Sequence, residues 1–251
     1  MYAEMITKVD AAAEKKALLL KKHPLKYLVS SGFAGIFIGL GIILIFSIGG
    51  YMQGAPSTKI LMGVSFAIAL SLVVMTGTEL FTGNTFVLTV GWLDKAVSVT
   101  DMLKVFIASY IGNFLGAFLL GAMFAYSGLV DQGAVMEFFQ TAAIAKAGGS
   151  FVALFFKGVL CNMLVCLAIM IGFRTNDDVA KLIMVFLCLF AFITSGFEHS
   201  VANMTVYAVS LIAPGIEGVT MTHLVQNMVP VTLGNIIGGG LIIGAGSYVL
   251  K

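Results

Sequence analysis

The chain reads as an all-α membrane protein: six transmembrane helices in two inverted three-helix repeats, with the second and fifth helices interrupted. Three observations predict this. Of its 251 residues, 59% are hydrophobic and 10% are charged, and the mean hydropathy is +1.04. Water-soluble domains are about a quarter charged, so that class is excluded. Six segments are apolar over the roughly 20 residues that a span requires. Two motifs then recur in the same order, with offsets of 119 and 122 positions.

The first 26 residues are charged and helix-prone, with no apolar core ahead of a small-residue cleavage site. Met5, Ile6, Val9, Ala12 and Ala13 against Lys8, Lys15 and Lys16 predict an amphipathic helix. It either lies on the inner leaflet or stands solvated as a marker of topology. Pro24 separates this 1–26 arm from the channel domain, 27–251. The spans fall at about 27–49, 57–92, 102–127, 148–172, 179–212 and 223–250. Repeat one covers about 27–127 and repeat two about 148–250.

Basic residues orient the chain. With the N-terminus inside, Lys8, Lys15, Lys16, Lys21, Lys22, Lys26, Lys95, Lys104, Arg174, Lys181 and Lys251 all lie on the cytoplasmic side. Lys59 and Lys146 fall in outer loops and Lys157 within a span. The positive-inside rule therefore places both termini in the cytoplasm. Lys157 must pair or snorkel, and a carboxylate or carbonyls at a subunit interface suit it.

The first repeated motif is G-x-E-x-x-x-x-N, at Gly77–Asn84 and again at Gly196–Asn203. Each copy puts a carboxylate and helix-weakening residues inside an apolar segment, a costly choice at membrane depth. The second is G-N-x-x-G-x-x-L, at Gly112–Leu119 and Gly234–Leu241. Spans one and four show no convincing match. An odd number of spans per half makes the repeats enter the membrane from opposite sides, so the two breaks meet inside the subunit. Glu79 and Glu198 suit scaffolding of the loosened amides, with Asn84 and Asn203 closing each loop; the rival role is proton or cation carriage.

His199 breaks the symmetry, because its counterpart is Leu80. Imidazole titrates near physiological pH, so a histidine on an interrupted helix suits substrate handling; a core histidine bonded to a carbonyl is the plainer alternative. Thr82, in the opposite break, offers a hydroxyl that both donates and accepts. Lys146, just before the fourth span, is placed to attract anions or to anchor topology. Cys161, Cys166 and Cys188 lie inside spans and read as packing residues. No cofactor motif, phosphate loop or nucleophile elbow is present, so no enzyme, cofactor or nucleic-acid role is expected.

The chain resembles the formate/nitrite transporter family. The matching pieces are Lys22–Lys26, Glu79–Thr82, Asn162–Ala168, Ser195–Met204 and Pro230–Gly240. The resemblance implies an aquaporin-like subunit in a homopentamer, each subunit with its own pore for small monovalent anions and possible proton traffic. It implies, too, a place in the inner membrane of a prokaryote, among lipid. Carried over position by position, the central histidine is His199, the loop threonine Thr82 and the lysine Lys146, by its spacing to Asn162. The outer hydrophobic ring falls on Phe66 and Phe192, and the inner ring on Leu70, Leu80, Phe81 and Val165. Thr82-Gly83-Asn84, the short outer loop over 212–222 and the near absence of a C-terminal tail give hydrosulfide slight precedence over formate, nitrite and acetate. Two rivals remain: an aquaporin-like neutral-solute channel, although no paired Asn-Pro-Ala occurs, and a membrane-embedded redox enzyme subunit.

Overall fold

The computed structural model describes residues 2–131 and 133–251, which form helices and turns with no strand. Helix α1 (Tyr2–Lys22) buries Met5, Ile6, Val9 and Ala13 against α5, α2 and α6, while Lys8, Lys15, Lys21 and Lys22 stay exposed. Both expectations for the arm are thereby corrected. Its apolar stripe covers protein rather than a leaflet, and it is not a free solvated helix. Met1 of the 1–26 arm lies outside the described residues.

Pro24 opens α2 (Pro24–Tyr51), where its missing N–H costs nothing. Next come α3 (Thr58–Ser65), α4 (Ala67–Thr76) and α5 (Phe81–Leu93), with a turn at Phe66 and non-helical backbone over 77–80. Helix α6 (Val99–Ala125) starts where the Ser98 hydroxyl accepts the Asp101 amide at 3.0 Å. Helix α7 (Gly133–Ala147) was not anticipated. It buries Val135, Phe139 and Ala143, and it carries Lys146 in its last turn.

Helix α8 (Phe151–Arg174) is capped by Ser150, and α9 (Asp178–Thr194) by Asp177. Backbone over 195–199 is non-helical before α10 (Ser200–Ile212). Helix α11 (Met221–Ile236) runs on as a π-helix over Ile237–Ala245 and closes in α12 (Gly246–Val249). Wide π turns are rare and gather at functional sites. Here the widened turn seats Gly239 against Thr85, Asn162 and Cys166, where a Cβ would collide with all three.

Five helical segments among the described residues are long and apolar enough to cross a membrane: 24–51, 58–76, 99–125, 151–174 and 221–249. Helix α10, of 13 residues, is apolar but shorter. The chain is an integral membrane protein. Its core is the α2–α6 and α8–α11 pairs, with α5 and α10 between them. Helices α5 and α10 are buried almost all round, so both half-length helices are screened from lipid.

Candidate functional site

Two broken stretches build the site. Gly77 caps α4 in the left-handed region (φ 68°), and Gly196 follows α9 likewise (φ 75°). A side chain is strained in that region, which accounts for glycine at both positions. Each chain then passes through a glutamate before a new helix starts, α5 after Leu80 and α10 after His199. Asn84 and Asn203 were expected to close loops. They stand in the first turns of α5 and α10, and each reaches back across its break to its glutamate.

Glu79 is buried, and its Oε2 accepts from Lys16 Nζ at 2.8 Å, Tyr27 OH at 3.1 Å and Asn84 Nδ2 at 3.2 Å. Glu198 is equally buried. Its Oε1 and Oε2 accept from Lys146 Nζ at 3.0 and 2.9 Å, and Oε2 also from Asn203 Nδ2 at 2.6 Å. Each carboxylate thus holds one ammonium and the asparagine five residues on. Lys146 is therefore not a bare cation. Its mirror is Lys16, which the sequence hides among six N-terminal lysines; only the docking of α1 singles it out. Lys157 has its side chain exposed on α8 with no partner among the described residues, and only its backbone carbonyl is engaged, by the Glu198 amide at 3.2 Å.

The two breaks meet through Thr82 and His199, whose Oγ1 and Nε2 lie 2.9 Å apart in a buried contact. The imidazole caps its own helix, since Nδ1 accepts the Ala202 amide at 3.1 Å. An amide can only donate, so Nδ1 is unprotonated. The ring proton then sits on Nε2 and points to the Thr82 oxygen. Asn162 Nδ2 braces this centre, donating to Thr85 Oγ1 at 2.9 Å, Thr82 O at 3.2 Å and Asn235 O at 2.6 Å. Cys166 Sγ lies 3.4 Å from the Thr82 carbonyl, a contact composition did not suggest.

Two cavities approach the centre from opposite sides and share no lining residue. One, of about 180 Å³, is lined by Lys146, Phe192, Glu198, His199 and Asn203 among others. The other, of about 390 Å³, is lined by Lys16, Thr78, Leu80, Asn84, Asp178 and Lys181 among others. Thr82 lines neither, being fully buried between them.

The ring candidates are all buried. Phe66 and Phe192 meet edge to face, centroids 5.5 Å apart, and Phe192 stacks near His199 at 6.1 Å. Leu80 lines the larger cavity. Phe81 sets its ring against Phe106 and Tyr110 of α6, at 6.0 and 4.9 Å. Leu70 and Val165 are core residues that line neither cavity.

Residues 3–249 match the family model described as formate/nitrite transporter. The chain is 40% identical over 249 residues to a nitrite transporter of Escherichia coli (strain K12), covering 99% of this chain and 92% of that one. Among solved structures, one titled "FNT family ion channel" superposes with a TM-score of 0.93 at 37% identity, covering 99% of both chains. Another, titled "Pentameric formate channel with formate bound", gives 0.80 at 27% identity, covering 92% of this chain and 98% of that one. These proteins are transporters and channels, not enzymes.

Proposed function

Because the chain belongs to the formate/nitrite transporter family, we propose that it conducts small monovalent anions through a pore within each subunit of a homopentamer. Nitrite and formate come first as substrates, because the similar proteins are a nitrite transporter and a formate channel. Hydrosulfide gains no support from them. The pentamer is argued from the same formate channel, which is titled pentameric and superposes over nearly its whole length.

In this reading α2, α3–α5, α6, α8, α9–α10 and α11–α12 are the six spans, and residues 27–127 and 148–250 the inverted halves. Both termini lie in the cytoplasm of a prokaryotic cell, so the Lys16 cavity is the inner vestibule and the Lys146 cavity the outer one. The observation that carries the proposal is the Thr82–His199 contact, 2.9 Å long and closed off between two vestibules, each lined by the lysine of a lysine–glutamate pair.

The geometry suggests how an anion crosses. Helices α5 and α10 both begin at the centre, and a helix N-terminus favours negative charge. Each buried glutamate would repel an anion, and the ammonium bonded to it cancels that repulsion. Past Phe66 and Phe192 the anion sheds water at a cost of several kcal/mol. Thr82 Oγ1 accepts the hydrogen bond from the Nε2–H and keeps its own hydroxyl proton free to turn toward a substrate oxygen. Protonating Nδ1 as well would push the Ala202 amide off the ring. The centre therefore works first as a neutral hydrogen-bond donor, and an anion that crosses as its neutral acid takes that proton from the outer solution, while the ring keeps its single N–H on Nε2.

The test is flux of nitrite, formate, hydrosulfide and acetate through purified protein in liposomes, with His199→Asn beside the wild type. Asparagine also caps helices well but does not titrate. Wild-type liposomes that pass none of these anions would end the channel reading. Flux, anion preference and pH profile all unchanged in His199→Asn would remove the imidazole from the mechanism.

A further inference from the structure

The second repeated motif, G-N-x-x-G, supplies one asparagine in each half of the chain, and these asparagines touch both breaks. Asn113, on α6, accepts the Phe81 amide on Oδ1 at 2.8 Å and donates from Nδ2 to Glu79 O at 2.9 Å and Ser31 O at 2.7 Å. Asn235, on α11, accepts the Ser200 amide on Oδ1 at 2.9 Å and donates from Nδ2 to Glu198 O at 3.1 Å and Gly158 O at 2.8 Å. Both are fully buried.

The pattern is the same in each half. An asparagine grips the carbonyl one residue before, and the amide one residue after, a single residue at the pore. That residue is Leu80 in the first half and His199 in the second. The third bond ties the asparagine to the backbone of α2 or α8, the neighbouring long helix. The flanking glycines permit this reach, since a Cβ at Gly116 would strike Gly32 of α2 and one at Gly238 would strike Val159 of α8. The bonds also relate Ser31 to Gly158, a correspondence between the first and fourth long helices that side-chain matching does not reveal.

We propose that Asn113 and Asn235 are positioning residues, the first fixing Leu80 at the inner barrier and the second fixing the peptide units on either side of the imidazole. A side chain held at three points cannot swivel, and the peptide units it grips fix the φ and ψ of the residue between them. His199 gains two constraints this way, its own Nδ1 cap and the Asn235 bracket. Leu80 has only the bracket, as leucine cannot cap a helix. The two asparagines should therefore differ in what they control. Asn235 governs the hydrogen-bonding and pH behaviour of the centre. Asn113 governs the width of the apolar gate.

The proposal rests on the channel reading and is tested separately from it, because wild-type flux is measured first in the same liposomes. Given a conducting wild type, Asn235→Ala should lower maximal flux by about 10- to 100-fold, the usual effect of a misplaced reacting group, and should move the pH profile. Asn235→Ser, with one hydroxyl to donate and accept, should recover part of both. Asn113→Ala should keep the wild-type pH profile and raise acetate flux relative to formate. The idea is overturned if the two alanine variants lose flux alike with pH profile and anion preference unchanged, or if neither alters flux. Failure of Asn235→Ala and Asn235→Ser alike to assemble would assign the residue to folding and overturn the positioning role as well.

Discussion

Replacing Lys146 by methionine keeps most of the apolar stem and removes the ammonium that faces both oxygens of Glu198. The carboxylate, with a side chain 7% exposed, is left with the Asn203 amide alone. Losing one partner of a buried pair costs about 3–5 kcal/mol, and the lower end applies because the lysine is 22% exposed. The larger consequence is for flux. The cavity beside Lys146 holds about 180 Å³, so an anion inside it lies within roughly 7 Å of the bared carboxylate, and the repulsion is about 2.4 kcal/mol at an effective dielectric of about 20. That corresponds to about a fiftyfold loss of rate.

Initial nitrite and formate rates in proteoliposomes, with assembly verified by size-exclusion chromatography, read the effect. The decisive comparison is the double variant Lys146→Met/Glu198→Gln, which restores the net charge of the pair and should return flux to near the wild-type rate. Two results would refute the reasoning: a single variant as fast as wild type, or a double variant as slow as the single. The second would mean that the ammonium itself draws the anion.

Two further predictions concern helix α1 and the π-helix. Burial, and then the neighbouring Asp94 carboxylate, raises Asp10 of α1 to about 7, against the opposing pull of Lys251 and with a smaller push from Glu14. Docked α1 thus holds a proton that a free helix would release near 3.8, and its docking weakens as pH climbs from that value toward 7. Hydrogen exchange should show α1 better protected at about pH 5 than at about pH 8, and Asp10→Asn should erase the difference. Gly239→Ala drives a Cβ into Thr85, Asn162 and Cys166 and should cost about 1–3 kcal/mol in thermal stability, as overpacking does. Gly172→Ala, with nothing within 4 Å of its new carbon, is the neutral control.

Membrane residence and the duplicated breaks were legible in the order of residues because each is a local or additive property. Hydropathy sums along the chain. A glutamate between small residues in an apolar run stands out wherever it occurs. His199 was legible as the one titratable side chain present in only one copy of the repeated motif. What the chain order concealed were relations between distant residues. Lys16 looks like any other N-terminal lysine until α1 docks and brings it 2.8 Å from Glu79, 63 positions away. Helix α7 is only moderately apolar and had no pattern to announce it. Phe66, Leu70, Phe81 and Val165 were matched to the rings by family position, and all four are buried away from both cavities.

The residue string alone determined which groups lie at membrane depth, since water cannot solvate them there and their transfer energies add. Tertiary structure alone decided which of those groups touch. An asparagine on α6 or α11 can bracket a residue more than 30 positions away only after glycines let two helices close together. Hydrogen bonds act over about 3 Å, and no spacing along the chain reports a separation of that size between segments that meet only when folded.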